Sequence, residues 1–137
     1  MPGDPRVNPA RGVGGSSYAP GMTLKLAMIT VDTTDAESLA AWWAEQTGAR
    51  IVDTNDGWFV ILAGGGVPGR LAFQKVDEVT PGKNRVHLDL TADDLEAETE
   101  RLLAAGARLV ERRGTEDFRW NTLTDPQGNE FCVAGAE

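Results

Sequence analysis

A single cysteine, Cys132, and a single histidine, His87, are all that the 137 residues contain of either type. The lone thiol excludes an internal disulfide and any zinc site built from clustered cysteines. Nor is there a second histidine to activate Cys132 as a nucleophile, so an inert thiol on a core or cavity wall is the expectation for it. Cationic residues are the minority, 13 Lys plus Arg against 21 Asp plus Glu, a net charge of −8. Such a surface repels phosphate backbones and anionic headgroups, which argues against nucleic-acid and membrane partners. No apolar run approaches the roughly 20 residues needed to span a bilayer, and the N-terminus has no secretory h-region. A cytoplasmic location follows as the expectation.

What is present is the composition of one globular domain, 41% hydrophobic and 25% charged. Residues 1–22 hold five glycines and four prolines without apolar periodicity, and are expected to form a disordered tail. The folded domain is expected over 23–137. Within it an internal repeat sets the architecture. TDAESLAAWWAEQTGARIVD reappears as DDLEAETERLLAAGARLVE.

In the first copy Thr34 and Glu37 read as a capping box, Ala36, Leu39, Ala40 and Trp43 as a buried stripe, and Gly48 as the stop. In the second, Asp93 and Glu96 open the helix, Leu95, Thr99, Leu102 and Leu103 form its stripe, and Gly106 closes it. Strands are expected before each helix, at 24–32 and 85–90, and after each, at 49–52 and 107–110. Two more follow in each copy, 58–62 and 70–76, then 118–123 and 130–134. The glycines and proline of AGGGVPG exclude regular structure between the first of these pairs, and TDPQGN is a turn between the second. The unit is β-α-β-β-β, twice, over modules 24–78 and 84–134.

Alternation along 85–90 sends Arg85, His87 and Asp89 to one face and Val86, Leu88 and Leu90 to the other, under the helix. The polar face is either a self-satisfied row of charges or a ligand-facing patch in which His87 is the one candidate general base near neutral pH. Arg85 suits a bidentate clamp on an anion, or a structural tie to Asp89 or Glu130. Asp125 to Asn129 is a string of turn formers, read as structural. Trp42 and Trp43 belong to the first helix. Trp58 and Trp120 fall on the third strands, as walls for a planar ligand or as core.

The segments SLAAWWAEQTG, KNRVHLDL and DPQGNEFCV, set in two tandem β-α-β-β-β units, resemble the vicinal-oxygen-chelate superfamily, which includes glyoxalase I, bleomycin-resistance proteins and extradiol dioxygenases. That resemblance implies an α+β fold of two modules with curved mixed sheets around a cavity, and metal ligands, where present, on the first and last strand of each module. Counting by the helix offsets of 59 and 58 places Met28, Gln74, His87 and Cys132 at those positions. Members that bind metal use His, Glu or Gln there, and only His87 and Gln74 conform. A thioether and a thiol do not suit a hard divalent ion, so no conventional metal site and no cofactor is expected. Should a divalent metal bind, His87, Gln74 and Glu130 are its candidate ligands, since Glu130 shares the strand face of Cys132.

The function implied is small-molecule binding, with Met28, Trp58, Gln74, Arg85, His87, Asp89, Trp120, Glu130 and Cys132 as candidate ligand-contacting residues and His87 as the candidate catalytic group. A metal-assisted lyase or isomerase and an antibiotic-sequestering resistance protein are the alternatives. A homodimer is expected, with modules paired either within or between chains.

Overall fold

A computed structural model of the chain describes residues 23–135. The tail expected over 1–22 lies outside them. The described residues follow the order β-α-β-β-β twice, in two compact units divided after Val79. The first unit holds β1 (Ile29–Thr33), α1 (Ala36–Thr47), β2 (Arg50–Asp53), β3 (Phe59–Gly64) and β4 (Val67–Lys75). The second holds β5 (Leu88–Ala92), α2 (Leu95–Ala104), β6 (Arg108–Gly114), β7 (Arg119–Thr124) and β8 (Glu130–Gly135). Each unit is one mixed four-stranded sheet, ordered β1-β4-β3-β2 and β5-β8-β7-β6. The first strand runs parallel to the last and every other pairing is antiparallel. These are the two β-α-β-β-β units that the repeat predicts, in the α+β architecture of mixed sheets that the resemblance implies.

In the first unit the stripe Ala36, Leu39, Ala40 and Trp43 is buried as predicted. Burying side chains the size of Leu39 and Trp43 contributes about 2–3 kcal/mol each. The N-cap is Asp35, one residue later than the Thr34–Glu37 box predicts: its carboxylate accepts the Ser38 amide at 3.1 Å, while its own amide donates to Thr33 Oγ1 at 3.1 Å. Gly48 ends the helix at φ 71°, a left-handed conformation that costs other residues about 1–2 kcal/mol. Alternation places Val60, Leu62, Leu71 and Phe73 on one face of the sheet. On the other, Phe59, Ile61 and Ala72 form a separate cluster with Met28 and Trp58 packed against it.

The AGGGVPG stretch is more regular than predicted. Only Gly65 and Gly66 turn, while β3 runs to Gly64 and β4 starts at Val67, because the positive φ of Gly64, Gly65 and Gly69 lets a bulged hairpin close tightly.

In the second unit Asp94, not Asp93, caps α2 by accepting the Ala97 amide at 3.1 Å. Glu96, freed from the expected capping box, instead accepts from Arg112 of β6 at 2.8 and 3.1 Å and from the side chain of Asn121 of β7 at 3.1 Å. These bonds, the Arg112 hydrogen bond foremost, hold the Glu96 carboxyl below the usual carboxylate range. Asn121 also donates to Thr99 Oγ1 at 2.8 Å, and both residues are buried, so the helix–sheet seam carries a satisfied polar network. Thr99 and Leu102 are buried as predicted, whereas Leu95 and Leu103 are only half-buried.

The strand expected at 85–90 begins later, at Leu88. Arg85 and Val86 lie in a bend and Val86 is 72% exposed rather than packed under the helix. Asn84 is the reason: its side-chain amide donates to the carbonyls of Val86 and Glu130, both at 2.9 Å, and accepts the Glu130 amide at 2.8 Å. The side chain occupies the pairing position at the start of β8 that a longer β5 would take. Strand β6, by contrast, runs four residues past its predicted end, to Gly114.

Candidate functional site

Register determines which side chains of the second unit share a face. Asp89 of β5 pairs with Cys132 of β8, which pairs with Thr122 of β7. Two residues along, Ala134 pairs with Trp120, and Trp120 with Arg113 of β6. Because side chains alternate, these residues line the same face, together with Glu130. His87, immediately before β5, joins them. They bound a concavity of about 790 Å³ in this unit, lined also by Lys83 and Phe118.

The concavity has a polar end and an aromatic wall. At the polar end His87 Nε2 lies 3.4 Å from Asp89 Oδ1, with both side chains well exposed at 42% and 74%. An exposed pair of this kind orients the imidazole more than it stabilises the fold. Cys132 Sγ is 3.4 Å from Thr122 Oγ1, whose hydroxyl accepts from Arg113 Nε at 3.0 Å. Arg113 also pairs with Glu111 at 2.5 Å. The aromatic wall is Phe118 and Trp120, tilted at 36° with centroids 5.6 Å apart. Lys83 and Arg113 balance Asp89 and Glu130 on the lining, so the wall is not of one sign.

Of the expected site residues, His87, Asp89, Trp120, Glu130 and Cys132 come together here. Arg85 does not: it is exposed in the bend and is outside the lining. Met28, Trp58 and Gln74 belong to the first unit. Met28 and Trp58 both fall just outside the strands expected to carry them, and pack on the Phe59, Ile61 and Ala72 cluster. Trp58 stands 5.6 Å from the Phe59 ring, a core contact. Gln74 is half-buried on β4, opposite Asp32 and Phe59.

Sequence reasoning passed over Thr122, Arg113 and Lys83. Thr122 was accessible by two-residue alternation from Trp120. Arg113 required the true length of β6, and Lys83, in the linker, left no periodic signal.

The donor set counted for a divalent ion does not fit a hard cation. Met28 offers a thioether and Cys132 a thiol where magnesium or manganese takes oxygen or imidazole nitrogen.

Two β-α-β-β-β modules with mixed sheets in this order define the vicinal-oxygen-chelate fold. The chain belongs to the glyoxalase-like domain family, whose sequence pattern matches residues 28–134. No curated protein matches it in sequence. Similar solved structures include a glyoxalase/bleomycin resistance protein/dioxygenase family enzyme from Burkholderia phytofirmans, with TM-score 0.68 at 18% identity, covering 81% of this chain and 98% of that one. A glyoxalase-related enzyme from Fulvimarina pelagi gives 0.64 at 22% identity, over 82% and 88%. A mutant of the fosfomycin resistance protein FosX from Listeria monocytogenes, complexed with Mn(II) and 1S,2S-dihydroxypropylphosphonic acid, gives 0.68 at 17% identity, over 84% and 93%. At these identities the likeness is one of fold. Among the described residues no helix is long and apolar enough to cross a membrane.

Proposed function

We propose that the concavity of the second module binds a small organic molecule, its flat apolar part against Phe118 and Trp120 and its polar part at His87, Asp89 and Glu130. The observation that carries this reading is that an aromatic pair and a polar cluster line one concavity of about 790 Å³, the size and mixed character of small-molecule sites. Balanced charge on the lining gives no field for trapping a cationic drug, so sequestration of that type is the weaker alternative. Turnover as a lyase or isomerase is favoured by one feature: the Asp89 carboxylate, 3.4 Å from His87 Nε2, orients the imidazole, the group placed to take a proton alpha to a carbonyl. The proposal includes a cytoplasmic homodimer, supported by the exposed apolar side chains Ile51, Val52 and Val110 on the edge strands β2 and β6.

A thermal-shift and tryptophan-fluorescence screen with planar aromatic carbonyl and carboxylate compounds tests the reading. Hits should weaken about tenfold in Trp120→Ala, the equivalent of about 1.4 kcal/mol. Hits indifferent to both Trp120→Ala and His87→Ala would overturn it. Substrate consumption lost in His87→Ala with binding retained would select the enzyme, and light scattering at the 14.7 kDa monomer mass alone would refute the dimer.

A further inference from the structure

We infer that Arg113 selects planar aromatic carboxylates for the concavity, holding the acid group on the β6 side of the aromatic wall. The inference rests on the small-molecule reading above and names the chemical class of the ligand. Arg113 and Trp120 are direct partners in the antiparallel β6–β7 pair, and both line the concavity. Side chains opposed in this way have Cβ atoms about 4.5–5.5 Å apart. An acid group on a ring stacked against Trp120 therefore comes within the span of the arginine side chain. The guanidinium is already held from the protein side: Nε donates to Thr122 Oγ1 at 3.0 Å, and Nη1 pairs with Glu111 at 2.5 Å. Among the described residues nothing pairs with Nη2, so donors remain unspent on a group whose orientation is fixed before any ligand arrives.

The order of charges along the lining decides which end takes the anion. Strand rise puts Asp89 and Cys132 about 7 Å, and Glu130 about 13 Å, along the sheet from the Trp120–Ala134 pair. The two acids of the lining, Asp89 and Glu130, thus lie away from Arg113. An anion beside them would meet like charge. The other basic groups sit at that acidic end: His87 Nε2 is 3.4 Å from Asp89, and Lys83 Nζ donates at 3.2 Å to the carbonyl of Asn84, whose side chain is bonded to Glu130. Arg113 is left as the cation that adjoins the aromatic wall without an acid of the lining next to it. One guanidinium shared with Glu111, on a chain of net charge −8, suits a monoanionic carboxylate rather than a dianionic phosphate.

Calorimetric titration of the full chain with naphthoate and with its uncharged amide, naphthamide, tests it, because the two probes share a shape and differ in charge. Wild type should bind the acid at least about tenfold tighter than the amide, the range of a charge-assisted hydrogen bond. Arg113→Gln should abolish that preference while its affinity for the amide stays within about twofold of wild type, which keeps loss of the anion contact apart from loss of fold. Glu111→Gln removes the competing carboxylate of a side chain 56% exposed, and should tighten the acid about two- to fivefold without moving the amide. Arg108→Gln removes the same charge from the same strand outside the lining, and should leave the preference intact. A preference that survives in folded Arg113→Gln, that Glu111→Gln leaves unmoved, or that Arg108→Gln abolishes would each overturn the assignment. Equal, Trp120-dependent binding of the two probes would overturn this inference and leave the small-molecule reading standing. Binding of neither probe would overturn it as well, and the wider screen above would then decide the small-molecule reading by itself.

Discussion

The Asn84 side chain pairs with the backbone of Glu130 in both directions, donating to its carbonyl at 2.9 Å and accepting from its amide at 2.8 Å across 46 residues of sequence. A side-chain amide is the one group of this size with a donor and an acceptor placed to copy a peptide. It ties the linker to the first residue of β8, and through the Val86 carbonyl it holds the bend that delivers His87 to the concavity.

Replacing Asn84 with Ala should therefore cost about 1–3 kcal/mol, the loss of these bonds from a partly buried group. Amide hydrogen exchange at Glu130 and His87 should rise more than elsewhere. Asn84→Asp, nearly the same shape, should do no better at neutral pH, because its carboxylate would face two carbonyls it cannot donate to. A urea midpoint for Asn84→Ala within error of wild type would refute this role.

The depressed carboxyl of Glu96 sets a pH dependence. A carboxylate with a folded value below its unfolded one contributes stability above the unfolded glutamate value of about 4.3, and loses it as pH falls through the folded value. Arg112 and Asn121 are the causes, largest first. Glu96→Gln should thus be less stable than wild type at pH 7, and the two should converge on acidification below about pH 4. Glu96 is 57% exposed, so screening keeps the effect small and raised salt should reduce it. Denaturant midpoints measured across pH 3–7 for both proteins check it, and a gap that widens toward acid would contradict it.

Much of this fold is legible in the sequence because local and global preferences agree. The apolar stripe Ala36, Leu39, Ala40 and Trp43 and the stops at Gly48 and Gly106 need only helix period and capping chemistry, and the structure follows them. What is not legible depends on choices between near-equal neighbours or on distant partners. Thr34 and Asp35, or Asp93 and Asp94, are adjacent residues that both suit a cap, and the one whose carboxylate reaches the third amide onward is used. The start of β5 depends on Asn84 meeting Glu130, a contact no window along 85–90 contains. In the site, His87 and Cys132 are found by counting. Asp89 follows from alternation with His87, whereas its place beside Cys132 needs the parallel register that pairs the two.

Two glycines separate space from conformation. Gly114 and Gly128 both have positive φ, 102° and 89°. A Cβ on Gly128 meets nothing within 4 Å, so Gly128→Ala should cost only the conformational strain, about 1–2 kcal/mol. A Cβ on Gly114 would overlap the Phe118 carbonyl oxygen, which accepts the Thr115 amide at 2.9 Å in the β6–β7 turn. Gly114→Ala should cost about 2–5 kcal/mol, strain and overpacking together. It should also disturb the Phe118–Trp120 wall, visible as a changed tryptophan emission. Equal melting temperatures for the two variants would show the turn to be softer than its geometry requires.

The most recognisable string in the chain, Asp125 to Asn129, is tied together by hydrogen bonds within itself. The Asp125 carboxylate, 2% exposed, accepts the Gln127 amide at 2.9 Å and the Asn129 amide at 3.0 Å, together with the Asn129 side chain at 3.0 Å. The Asp125 carbonyl accepts the Gly128 amide at 2.9 Å, closing the turn between β7 and β8. A buried carboxylate serving this many donors cannot be removed without leaving them unpaired, at about 1–3 kcal/mol. Asp125→Ala should thus lower stability by at least about 2 kcal/mol. Asp125→Asn should fall between it and wild type, since an amide oxygen still accepts but its NH₂ confronts a donor. Neither variant reaches the concavity, so at temperatures where both are folded the affinity of any ligand that depends on Trp120 should be within twofold of wild type. A folded Asp125→Asn protein with lost ligand binding would move this string from the scaffold into the site.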